Sequence, residues 1–149
     1  MNDLHPAKIM SMPSIRLLIV FTGVTLLAGC GDGRPVRVPV SGMVYIDGKP
    51  LTVGVVRFVP DKGRPSVGEI DQSGRFQLSC YEMNDGATVG EHHVAVVAAE
   101  PLPGDRRRWH APKSYSDYKS SGLIETVSSS PEEIRIDLTW GNGKPFTES

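Results

Sequence analysis

The sequence predicts an all-β fold, a small antiparallel sandwich, and three observations predict it. Between Val40 and Leu78, short alternating apolar runs are separated by the turn-formers Asp47-Gly48, Pro60-Asp61-Lys62-Gly63 and Asp71-Gln72-Ser73-Gly74, the pattern of strands joined by tight turns. Asp47-Gly48 is a two-residue hairpin signal, because a type I′ turn needs positive φ at both central positions. After residue 30, Gly and Pro recur every few residues and β-branched residues fill the apolar runs, which leaves little room for helices.

The chain has 149 residues and a formal net charge of -1, consistent with one domain and a modest core. That balance gives no general electrostatic case for nucleic acid, which normally requires a basic face or a clearly basic domain and is not expected as a partner.

The N-terminus reads as an export signal. Lys8 and Arg16 precede an uncharged apolar run, Leu17 to Ala28, that ends in Gly29-Cys30, the layout of a secretory signal peptide. The run is well short of the ~20 residues a helix needs to cross the hydrocarbon core. Leu27-Ala28-Gly29-Cys30 resembles the bacterial lipobox, with a large apolar residue, two small ones and then Cys. That resemblance implies a signal helix over 1–29 that is removed, and a lipoprotein whose Cys30 carries diacylglycerol on sulfur and a palmitate-type chain on nitrogen. Two or three chains anchor stably, each buried methylene contributing roughly 0.8 kcal/mol. Gly31 rather than Asp follows the Cys; by resemblance to the sorting rule of enteric bacteria, this favours the outer over the inner membrane. Cys80 is then the remaining cysteine of the mature chain, so no internal disulfide forms, and it reads as a small buried hydrophobe.

The mature chain follows in order. Residues 30–37 read as a lipidated tether. From Val38, alternation places Val38, Val40, Gly42, Val44 and Ile46 on one face and Ser41, Met43 and Tyr45 on the other, with Gly42 marking a bulge or a close approach. Val53 to Val59 is the second strand, with Val56 and Phe58 inward and Arg57 outward. Ser66 to Ile70 is the third. Asp71 caps the next turn and Gly74 takes a left-handed conformation there, so that Phe76 and Leu78 enter the core. Asn84 to Ala87 is a loop. Glu91 to Ala99 is a strand with His92, Val94 and Val96 on one side. Adjacent strand residues point to opposite faces, so His92 and His93 do not share a metal ion, and His92 reads as a packed imidazole. No metal and no cofactor are expected.

From Glu100 the alternation stops. Residues 101–112 read as a long loop in which Arg106, Arg107 and Arg108 stand beside an exposed Trp109 and His110. Guanidiniums next to an indole can hold a phosphate, an acidic glycan or a lipid headgroup, against a plain reading as solvated mobile loop. Gly122 to Val127 and Glu133 to Leu138 are the closing strands, and residues 139–149 read as a flexible tail.

The segments VSGMVYIDGKPL, VVRFVP, DQSGRFQL, VGEHHVAVVA, YSDYKSSGLIETV and IRIDL resemble, in that order, the small lipoproteins with a carboxypeptidase-regulatory-like, or transthyretin-like, domain that abound in planctomycete bacteria. The resemblance covers residues 38–138. It implies an immunoglobulin-like or prealbumin-like β-sandwich of about seven strands and brings no catalytic residues. His92 stands where such domains usually have Tyr or another aromatic, and the Arg106 to His110 loop is not a family mark.

The expected function is therefore that of a non-catalytic module, held at the cell envelope by lipid on Cys30 and serving protein or polysaccharide interaction. No G-x-S-x-G elbow, phosphate loop, H-E-x-x-H or paired C-x-x-C is present. The alternative is a metal-dependent enzyme resembling the intradiol dioxygenases, a related sandwich that holds iron with two Tyr and two His. Tyr115, Tyr118, His92 and His110 would have to imitate that set.

Overall fold

The computed structural model describes residues 33–130 and 132–149. The signal segment 1–29, the lipidation site Cys30 and the first residues of the predicted tether lie outside the described residues.

Among the described residues, strands dominate and helix is limited to one 3-10 turn, Lys113–Ser116. In chain order the strands are β1 Arg37–Val38, β2 Ser41–Ile46, β3 Lys49–Pro50, β4 Val55–Pro60, β5 Ser66–Glu69, β6 Arg75–Gln77 and β7 Ala87–Thr88. They continue with β8 Gly90–Val97, β9 Ala99–Leu102, β10 Arg106–Trp109, β11 Leu123–Val127, β12 Ile134–Leu138 and β13 Phe146–Glu148.

Two four-stranded sheets form the sandwich. One runs β11-β8-β4-β5 and is antiparallel throughout. The other is organised around β2, which pairs with β12 along one edge and with β6 and β3 on the other. The β2–β12 pair is parallel, Ile134 opposite Gly42 and Leu138 opposite Ile46. This departs from the all-antiparallel expectation for a physical reason: β11 and β12 do not form a hairpin. The chain between them passes from one sheet to the other, so β12 reaches β2 running in the same direction.

The alternation read from the sequence is the alternation that packs. Val56, Phe58, Val94, Val96 and Val127 of one sheet and Val40, Val44, Phe76, Leu78 and Ile136 of the other are buried and form one core, each such side chain contributing roughly 1.5–3 kcal/mol when fully buried. Phe58 spans the layers, with ring centroids 6.1 Å from Phe76 and 5.8 Å from His92. At Gly42 a Cβ would collide with the carbonyl oxygen of Ile134 and lie 2.6 Å from the Phe76 ring, so the parallel pairing itself requires glycine there.

The predicted turns form as read. Asp47 (φ 49°) and Gly48 (φ 76°) close the β2–β3 hairpin. The Asp71 carboxylate accepts hydrogen bonds from Ser73 N at 2.7 Å and Arg75 N at 3.0 Å, and Gly74 takes φ 86°.

The two ends of the domain differ from expectation. The end of the predicted tether belongs to the domain, since Arg37 and Val38 pair with Thr88 and Ala87. The predicted flexible tail, 139–149, is fixed at both ends of its length. Asp47 Oδ1 accepts from Thr139 Oγ1 at 2.8 Å and from Trp140 N at 3.2 Å, and Phe146–Glu148 adds to β10 as a third strand.

Candidate functional site

The stretch singled out for ligand binding, Arg106 to His110, is strand rather than mobile loop. Pro103, Gly104 and Asp105 turn the chain, the last two at positive φ, so that β10 returns along β9 with Arg106 opposite Leu102 and Trp109 opposite Ala99. β13 then covers the other edge of β10. A run of three arginines carries no apolar alternation, so its strand character lies in backbone pairing on both sides and not in the side chains.

The expectation of an exposed indole is overturned. Trp109 is 6% exposed; its ring stacks on Phe146, centroids 6.3 Å apart, its Nε1 donates to Glu148 at 2.8 Å, and the Lys113 ammonium lies 5.2 Å from its centroid. Lys113 also pairs with Glu148. The ion pair with Lys113 and the Trp109 hydrogen bond hold the Glu148 carboxyl below its ordinary range. His110 Nε2 is 2.9 Å from Glu100. Arg106, Arg107 and Arg108 do remain exposed. The structure thus keeps the arginines outside and takes the tryptophan inside, and does not present them together to one ligand.

A second basic cluster was not read from the sequence. The guanidiniums of Arg34 and Arg37 each lie 4.7 Å from the Tyr81 ring centroid, and that of Arg64 lies 5.2 Å away. Arg37 Nε donates to Asp85 at 2.7 Å, and Asp85 also accepts from Cys80 N at 2.6 Å and Tyr81 N at 3.1 Å. Burial pushes the Asp85 carboxyl up, but the backbone N–H groups of Cys80, Tyr81 and Glu82, together with Arg37, outweigh it and hold it below the ordinary value. Beside this knot a groove of about 620 Å³ is lined by Arg57, Arg64, Tyr81, Cys80 and Met83. Cys80 is buried, its sulfur 3.6 Å from the Arg64 carbonyl oxygen. The local signals were Arg34 and Arg37 flanking a Pro-Val pair and the Asn84-Asp85-Gly86 turn; their convergence on Tyr81 spans too much sequence to be read locally.

The histidine and tyrosine set sits in separate places. His92 is 1% exposed, and its Nε2 lies 2.7 Å from the carbonyl oxygen of Thr88. A carbonyl only accepts, so Nε2 carries the proton, and Nδ1 is buried without a partner. His93 points the other way, 3.9 Å from Asp61. His110 is engaged by Glu100, Tyr115 Oη accepts from Thr139 N at 3.4 Å, and Tyr118 lies under Lys119. Among the described residues no three His, Cys, Asp or Glu side chains converge as a metal site would require. No protein-family model, curated protein or solved structure matches the chain.

Proposed function

We propose that the chain is an exported lipoprotein of the carboxypeptidase-regulatory-like kind, a β-sandwich module that performs no catalysis and serves protein or polysaccharide recognition at the cell envelope. The observation that carries the reading is Leu27-Ala28-Gly29-Cys30 at the end of an uncharged apolar run. Acylation of Cys30 would hold the domain at the membrane, the outer membrane in the reading favoured by Gly31.

The exposed arginines of β10 support the recognition part. Side chains two apart on a strand share a face and stand about 7 Å from each other, so Arg106 and Arg108 form a spaced cationic pair on a strand fixed along both edges. Such a pair suits carboxylates or sulfates on a polymer.

The test is intact mass and detergent partition of the chain expressed in a bacterial host, wild type beside Cys30→Ala. The expected result is a mature chain starting at Cys30 with the added mass of acyl chains, found in the detergent phase, with mass and partition both lost in the variant. An unprocessed, unacylated wild type in the aqueous phase would overturn the reading.

A further inference from the structure

Three features meet at the end of the domain where the chain enters it. The first is charge. Arg34, Arg37 and Arg64 surround Tyr81 and Arg57 lines the adjoining groove; among the described residues Arg34 pairs with Glu82 and Arg37 with Asp85. The second is exposed apolar surface. Of six large apolar side chains exposed among the described residues, Val36 (79%), Met83 (88%), Val67 and Val89 (49%) belong to this region. Val36 lies between Arg34 and Arg37, and Val89 directly follows Thr88, the residue that pairs with Arg37. Met83 and Val67 line the groove with Arg57 and Arg64. The third is chain length. Arg34 is four residues from Cys30, and four residues extend at most about 14 Å.

We propose that this surface docks on the anionic phosphodiester headgroups of the membrane that anchors Cys30, with the arginines around Tyr81 on the phosphates and Val36, Met83 and Val89 entering the headgroup layer. The proposal rests on the lipoprotein reading. Guanidiniums are weakly hydrated and match phosphate oxygens in forked geometry, and an apolar side chain among cations gains from both terms at a charged lipid surface. Acyl chains alone fix the position of the chain and leave the domain free to turn. This surface sets its orientation.

The experiment is hydrogen–deuterium exchange on the full mature, acylated protein in vesicles of phosphatidylcholine alone or phosphatidylcholine mixed with phosphatidylglycerol. Intact mass of the same preparation reports acylation separately, so failure of the lipoprotein reading is seen there and not in the exchange. Slower exchange over 33–38 and 79–90 in the phosphatidylglycerol vesicles, reversed by salt, is expected. Arg57→Gln with Arg64→Gln reduces the effect by about fivefold per arginine, while Arg106→Gln with Arg107→Gln removes the same charge from β10 and leaves it intact. Equal exchange in the two vesicle types would overturn the proposal, and so would equal loss in the two double variants.

Discussion

In the sandwich, Val56, Phe58 and Val94 of one sheet meet Val40, Leu78 and Ile136 of the other, all buried. In the β9–β10–β13 sheet, Trp109 is the one buried residue of β10, and β13 has none. The first region is held by area removed from water. The second is held by backbone pairing, one stacked ring pair and the charges around Glu148. A strand can thus be specified by its own alternation or by partners that pair with it, and the two kinds respond differently to substitution.

The largest effects belong to the first kind. Gly42→Val places a branched side chain against the Ile134 carbonyl and the Phe76 ring, in a region where both neighbours are fixed. A loss of roughly 4 kcal/mol or more is expected, read as failure to fold or a collapsed urea midpoint. A soluble variant of wild-type midpoint would show that β12 does not seat on β2 as described. Phe58→Ala opens the centre of both layers, at a cost of about 3–5 kcal/mol. Trp109→Ala, although it removes a larger ring, should cost less, because β9–β10 retains its ladder; a greater loss there would reverse the comparison.

Asp85 lies between the two regimes, a carboxylate with 15% of its side chain exposed that serves Arg37 and the backbone N–H groups of Cys80, Tyr81 and Glu82. Asp85→Ala strands these backbone N–H groups and Arg37, for an expected loss of about 2–3 kcal/mol by urea unfolding. Its carboxyl is held below the ordinary value in the folded state, so its contribution is present above the ordinary carboxylate range and is lost as pH falls through the folded-state value. The wild type should therefore lose stability on acidification more steeply than Asp85→Asn. Parallel curves would assign the acid sensitivity elsewhere.

The same division explains what could be read in advance. Val40, Val44, Val56, Phe58, Phe76, Leu78, Ile136 and Leu138 declare their burial by spacing alone, and Asp47-Gly48 and Asp71 to Gly74 declare their turns by residue type. Arg106 to Trp109 could not be read as strand, because its three arginines carry no apolar alternation, its local partner Ala99–Leu102 is interrupted by Pro101, and its second partner Phe146–Glu148 lies close to forty residues away. The burial of Trp109 escapes the sequence for the same reason: what covers it is Phe146 and Glu148. The cluster on Tyr81 draws on residues 34, 37 and 64, and neither order nor spacing along the chain brings those together.

The smallest predicted effect is the sharpest probe of the second regime. Glu148 accepts from Trp109 and pairs with Lys113, and its carboxyl is held below the ordinary range by those two partners. The charge thus favours the docked strand above the ordinary carboxylate range, and this contribution disappears as pH falls through the folded-state value. An exposed ion pair of this type shifts a local equilibrium by about two- to fivefold. Amide protection at Phe146–Glu148 should fall by that factor on acidification, with a change in Trp109 fluorescence as Phe146 leaves its face, while β4 and β8 amides keep their protection. Glu148→Gln retains an oxygen for the indole N–H but not the charge, so its β13 should exchange at a level that pH does not move. If the variant titrates as the wild type does, the carboxyl that holds β13 is another, and the neighbouring Glu100 and Asp47 become the residues to replace.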